Sequence, residues 1–197
     1  MKTGKIVVGI TGASGAIYAV RFIAQASAIY QQVFLTYSPQ ALQALQVEMG
    51  FDGNESHLPT FLAPGNEDRL KIMDRTDYFV PPASGSFRHD GMVVVPCSMG
   101  ALGRIANGVS DDLMTRAADV CLKERRKLIL IVRETPFNLV HLRNMVAAAE
   151  AGAQILPANP SFYNRPATIE ELVDTVVARI LQNLGQDQNL VPEWGVT

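Results

Sequence analysis

The residues with the clearest capacity for chemistry stand in short loops. Thr11-Gly12-Ala13-Ser14-Gly15 places small residues and a hydroxyl directly after the apolar run Lys5 to Ile10. Small residues let backbone N–H groups approach a phosphate, and a helix starting there adds about half a unit of positive charge. The spacing Gly9-x-x-Gly12-x-x-Gly15 differs from Gly-x-Gly-x-x-Gly, and a glycine-rich turn alone is a weak signal. A dinucleotide-binding chain would carry an acidic residue about 20 positions later to grip a ribose. Here that stretch reads Leu35-Thr36-Tyr37-Ser38, without a carboxylate. The pattern points instead to a mononucleotide such as FMN, whose single phosphate needs the loop, a helix end and a few hydroxyls. Ser38 and Ser98 are placed to contact its ribityl chain or ring edge.

Charged candidates follow. Arg133-Glu134 ends the apolar run Leu128 to Val132 and precedes Thr135-Pro136, where a ligand would sit. A carboxylate beside cations can exchange protons with a phosphate or a reacting carbon. Arg116 and Lys123 are two helical turns apart with Asp119 between them, which describes a cationic face or an ordinary solvated ion-pair stripe equally well. Glu48 by itself reads as a surface glutamate. Tyr163 and Arg179 suit an anion, although spacing does not unite them. His57, His89 and His141 lack zinc-ligand spacing, so no metal is expected. No serine lies in a Gly-x-Ser-x-Gly elbow, which disfavours a serine hydrolase.

Short β-branched runs alternate with helical periodicity, the pattern of repeated βα units around a parallel sheet. Strands are expected at Lys5 to Ile10, Gln32 to Tyr37, Asp77 to Val80, Met92 to Val95, Leu128 to Val132 and Gln154 to Leu156. Helices are expected at Gly15 to Tyr30, Pro39 to Met49, Arg69 to Arg75, Gly100 to Ile105, Asp111 to Lys123, Pro136 to Ala151 and Thr168 to Leu184. Ser110 would cap the fifth helix, Thr135-Pro136 would open the sixth, and Gly152 would close it. Residues 50–65 read as a surface excursion. In an open parallel sheet, ligands bind beyond the carboxyl ends of the strands. Those ends run into Thr11 to Gly15, Ser38, Pro81 to Ser86, Pro96 to Gly100, Arg133 to Pro136 and Pro157 to Tyr163, all rich in small, hydroxyl or charged residues.

The 197 residues suit one domain, expected to span 1–185, followed by a tail at 186–197 whose Trp194 would dock on the domain or a neighbouring subunit. With 17 basic and 19 acidic residues the net charge is −2, which offers no broad basic surface to nucleic acid. Lys2, Lys5 and Ala26-Ser27-Ala28 imitate a secretion signal, but three glycines and Arg21 interrupt the apolar stretch. No run approaches the roughly 20 residues that span a bilayer. Cys97 and Cys121 have neither metal-ligand nor disulfide-scaffold spacing and are expected to be reduced, which places the chain in the cytoplasm.

The ordered set Thr11-Gly12-Ala13-Ser14-Gly15, Pro81-Pro82-Ala83-Ser84-Gly85-Ser86, Pro96-Cys97-Ser98, Arg116-Ala117-Ala118-Asp119-Val120, Lys123-Glu124-Arg125-Arg126, Arg133-Glu134-Thr135-Pro136 and Phe162-Tyr163 closely resembles the UbiX-type flavin prenyltransferases. The resemblance covers nearly the whole chain, least so residues 50–65. It implies a single-domain, three-layer α/β/α fold of Rossmann or flavodoxin type, with a parallel six-stranded sheet in order 3-2-1-4-5-6. It also implies a homo-oligomer, a dodecamer, that joins dimethylallyl phosphate to N5 and C6 of reduced FMN without a metal. The product would serve a UbiD-type decarboxylase.

By the same resemblance, Gly12, Ala13, Ser14, Ser38, Ser98, Met99, Gly100, Ala101 and Arg133 would hold FMN. Lys123, Tyr163, Arg179 and Arg133 would bind the prenyl phosphate, with Arg116 and Ser84 in the same substrate set. Glu134 would shuttle a proton, while Glu48, Lys123 and Ser14 complete the catalytic set. Tyr78 and Trp194 would be aromatic walls against an allylic cation. Ala101 stands where relatives often have threonine, and Pro39 replaces a frequent lysine. Two alternatives are an FMN-dependent cysteine decarboxylase of the phosphopantothenoylcysteine type and a non-catalytic flavin carrier. The first is disfavoured because the opening helix has no histidine, the second because Glu134 and Lys123 are both present.

Overall fold

The computed structural model describes residues 4–192 and Gly195. The chain runs β1 (Lys5–Ile10), α1 (Ala16–Ile29), β2 (Gln32–Tyr37), α2 (Pro39–Met49), α3 (Leu58–Leu62), β3 (Leu70–Ile72), β4 (Met92–Cys97), α4 (Met99–Ala106), α5 (Leu113–Lys123), β5 (Leu128–Val132), α6 (Leu139–Glu150), β6 (Gln154–Pro157) and α7 (Ile169–Leu184). The six strands form one parallel sheet in the order β3-β2-β1-β4-β5-β6. The order reverses between β1 and β4, so the carboxyl ends of those strands flank the crevice where ligands of such sheets bind.

Strand alternation distributes the apolar residues between two cores. Ile6, Val8 and Ile10 of β1 pack toward α1, α2, α3 and α7, whereas Val7 faces α4, α5 and α6. α5 buries Leu113, Met114, Ala117, Ala118 and Cys121 along one stripe at helical spacing. Both cysteines are free and buried, and burial pushes each thiol up to about 12, so neither is a thiolate at neutral pH.

Four local expectations are corrected. The third strand is Leu70–Ile72 and lies where a helix over 69–75 was expected. The Tyr78-Phe79-Val80 run has strand composition, but Phe79 is fully exposed and its N–H is captured by the Asp77 carboxylate at 2.8 Å. A local side-chain turn therefore wins over sheet pairing there. Consequently Pro81 to Ser86 does not follow a strand end, and a short 3-10 turn at Pro81–Ala83 packs on α5 instead. Residues 50–65 are not a mere excursion, since Phe51, Leu58, Leu62 and Ala63 join the α1-side core.

The other two corrections concern caps. α5 is capped by Asp112 rather than Ser110, through a reciprocal box with Thr115. α6 starts at Leu139 under Asn138, whose side chain accepts from the His141 N–H at 2.9 Å, and not at Pro136. In both cases a later Asp or Asn meets the third helical N–H, the geometry a cap requires.

Candidate active site

Three helix N-termini converge at the carboxyl edge of β1, β2 and β4. Thr11 ties two of the loops together: its hydroxyl donates to the Pro96 carbonyl at 2.6 Å and accepts from the Ser98 N–H at 2.9 Å. Ser98 then caps α4 by accepting from Ala101 N–H at 3.3 Å, and Ser38 caps α2 by accepting from Ala41 N–H at 3.2 Å. Gly12 passes so close to the first turn of α2 that an added Cβ would lie 3.1 Å from the Gln40 carbonyl carbon. Gly12, Ala13, Ser14, Ser38 and the Ser98 to Ala101 segment thus share one edge, as the loop chemistry predicted.

The N-terminus of α1 holds a finding that spacing could not supply. Glu48, near the end of α2, accepts the N–H groups of Gly15 and Ala16 at 2.8 Å each, and the Ser14 hydroxyl. An internal carboxylate therefore occupies the helix end expected to meet a phosphate, which leaves the α2 and α4 ends as the faces available to a mononucleotide. Burial pushes the Glu48 carboxyl up, but these donors and nearby Arg133 outweigh it and hold Glu48 below the usual glutamate range.

Arg133 and Glu134 follow β5 and line a cavity of about 290 Å³ with Thr135, Pro136, Ala158 and Asn159. The Glu134 carboxylate accepts from the Thr135 N–H at 2.9 Å. Tyr18, to which the sequence assigned nothing, donates to the Ala158 carbonyl at 3.4 Å beside this cavity. Burial raises its phenol while Arg133 opposes the shift. The structure also unites Tyr163 and Arg179, which line one cavity of about 550 Å³ along α7. Arg179 meanwhile donates to Gln182 at 2.7 Å.

Other predicted residues stand elsewhere. Lys123 is the last residue of α5 and precedes β5, so it lies at the amino edge of the sheet, opposite Arg133. The five residues of β5 alone separate the two edges by roughly 16 Å. Arg116 donates from Nε to the Ala83 carbonyl at 3.1 Å and pairs with Asp119 at 2.9 Å. Ser84 bonds Ser86 at 2.9 Å. Tyr78 is partly exposed and donates to the Ser110 carbonyl at 3.3 Å. Trp194 lies outside the described residues. No cluster of three potential metal ligands occurs among the described residues, and no helix among them is long and apolar enough to cross a membrane.

A doubly wound parallel sheet whose switch point is lined by glycine, serine and helix N-termini defines a mononucleotide-binding α/β protein, and the flavoprotein family model matches residues 1–181. The flavin prenyltransferase UbiX of Pseudomonas aeruginosa is 39% identical over 196 residues, 97% of this chain and 94% of the relative. The crystal structure of AnUbiX (PadA1) in complex with FMN and dimethylallyl pyrophosphate superposes with a TM-score of 0.89 at 38% identity, covering 99% of each chain. A dodecameric FMN-dependent UbiX-like decarboxylase from Escherichia coli O157:H7 gives 0.87 at 36% identity, covering 98% of this chain and 100% of that one. The chain belongs to the UbiX-type flavin prenyltransferases within the flavoprotein family.

Proposed function

We propose that this protein transfers a dimethylallyl group from dimethylallyl phosphate to N5 and C6 of reduced FMN, yielding prenylated FMN for a UbiD-type decarboxylase. The observation that carries the reading is the carboxyl edge itself, where Ser38, Ser98 and the Gly12 loop form a cradle of N–H groups and hydroxyls adjoining Arg133 and Glu134. FMN supplies the nucleophilic ring atoms that receive the prenyl unit. Gly12 to Ser14, Ser38, Ser98 to Ala101 and Arg133 hold it. Glu48, fixed as an anion, orients the Ser14 hydroxyl. Glu134 exchanges a proton with the departing phosphate, and cationic side chains stabilise the charge that develops there. The cysteine decarboxylase reading is not favoured, because the close relatives are prenyltransferases and α1 lacks a histidine.

Lys123 belongs to this site only if another copy delivers it. The amino-edge position of Lys123 and the dodecameric relative support a homo-oligomer in which one protomer's Lys123 meets its partner's Arg133 edge. α6 offers a surface for such contacts, because Leu139, Val140, Leu142 and Val146 are all exposed. The test of the activity mixes the purified protein, reduced FMN and dimethylallyl phosphate, and looks by mass spectrometry for the C5H8 adduct of FMN. Its appearance is the expected result. FMN binding without adduct, across a range of prenyl phosphates, would sink the reading.

A further inference from the structure

Lys123 ends α5 in a setting assembled from several independent features. The helix closes with the Arg125 N–H donating to the Leu122 carbonyl at 3.1 Å and the Arg126 N–H to the Cys121 carbonyl at 2.8 Å. That closure requires a left-handed residue, and Arg125 takes the place with φ 53°, where glycine is the usual occupant. The turn sends Arg126 back beneath the preceding loop, where its guanidinium donates to the Phe87 carbonyl at 2.6 Å and to the Gly85 carbonyl. Arg116 holds the same loop at the Ala83 carbonyl. Two arginines thus fix residues 83–87 by their carbonyl oxygens.

Over that platform lies the ion pair of the Lys123 ammonium and the Glu124 carboxylate. A Cβ at Gly85 would stand 2.8 Å from Lys123 Nζ and closer still to Glu124 Oε1. Gly85 is not in the left-handed region, so its backbone conformation does not demand glycine. The space above it is filled by the mobile ends of these two side chains, which an added methyl would displace. We propose that Glu124 is a positioning residue that holds the Lys123 ammonium over Gly85, in the place from which it meets the prenyl phosphate. The inference rests on the phosphate role of Lys123 in the proposed function.

The physical reason is the nature of lysine. Its ammonium is a point charge on a flexible four-carbon stem and, without a partner, samples many positions out of reach of a ligand. A carboxylate on the next residue is normally a poor partner within a helix, because adjacent side chains diverge. Here the helix ends between the two residues, and the platform below leaves them one shared surface. The hydrogen bond and charge of Lys123 also hold the Glu124 carboxyl below the ordinary glutamate range, so the pair persists through neutral pH.

Steady-state kinetics of Glu124→Gln, Glu124→Asp, Gly85→Ala and the double variant Gly85→Ala/Glu124→Gln test the idea, with light scattering and thermal unfolding confirming assembly and fold. Glu124→Gln is expected to raise KM for dimethylallyl phosphate about five- to tenfold, with kcat and KM for FMN unchanged. Glu124→Asp should restore part of the loss. Gly85→Ala should give the same split, and the double variant should be no worse than the poorer single one, since both changes act on one ammonium. A wild-type enzyme that forms adduct while these variants keep its KM, or lose kcat and both KM values together, would overturn the positioning role alone. A wild-type protein that forms no adduct would overturn it along with the activity.

Discussion

At the scale of single residues, two carboxylates on the carboxyl edge are set apart by what they accept. Glu48 receives two backbone N–H groups and the Ser14 hydroxyl, which fixes it as an anion and as part of the framework. Glu134 accepts one N–H, from its own neighbour, among the described residues, and this freer carboxylate suits proton exchange better. A third titratable group, His89, sits outside the edge. Its Nδ1 bonds the Gly91 carbonyl at 3.0 Å, its ring stacks on Phe87, and its Nε2 faces Cys121. Burial lowers its pKa and Arg126 adds to the shift, while Gly91 and Asp90 oppose it. The folded state therefore prefers neutral His89, whereas the unfolded chain takes up a proton near pH ~6.5. Stability from this group is full above that pH, falls as pH drops through it, and levels off once folded His89 also protonates. Thermal unfolding between pH 7.5 and 5.5 should show a shallower loss for His89→Gln than for the wild type; parallel curves would remove His89 as the cause.

At the scale of elements, caps decide where the helices begin and hence where loops aim. The Asp112 side chain accepts from Thr115 N–H at 2.8 Å while the Thr115 hydroxyl returns to the Asp112 N–H at 3.2 Å. Asp112 is buried, so its loss leaves donors without water to replace it. Asp112→Ala is expected to cost about 1–2 kcal/mol in urea unfolding, whereas Ser110→Ala should change stability by less than ~0.5 kcal/mol. The reverse order would return the cap to Ser110. Edge strand β3 teaches the complementary lesson. Three residues bonded to β2 outcompete a more β-prone run that lies only a few residues later. Pairing partner and local turn chemistry, rather than propensity, selected the strand.

At the scale of the whole molecule, the parallel sheet separates residues that the chemistry needs together, because every strand end lies opposite every strand start. Under the proposed function, Lys123 and Arg133 would meet through assembly, and that proposal makes a distinct forecast. Lys123→Ala and Glu134→Gln should each abolish adduct formation alone. Hybrids co-assembled from the two should regain activity at about a quarter of the sites under random mixing across one kind of interface. Hybrids as inactive as their parents would confine the site to one chain. The layers and strand order were implied by the family resemblance, whereas by itself the sequence determined a parallel α/β sheet, five of its six strands, the glycine and serine loops at its carboxyl edge and the absence of a ribose-gripping acid. These are local properties, written in periodicity and loop composition over a few residues. Only the tertiary structure decided that Glu48 fills the α1 N-terminus, that Thr11 clasps two loops, that Tyr163 shares a cavity with Arg179, and that Lys123 stands on the far edge over Gly85. Each of these joins residues distant in the chain or turns on the direction of a helix across the sheet, and neither side-chain reach nor edge can be read from spacing along one strand of sequence.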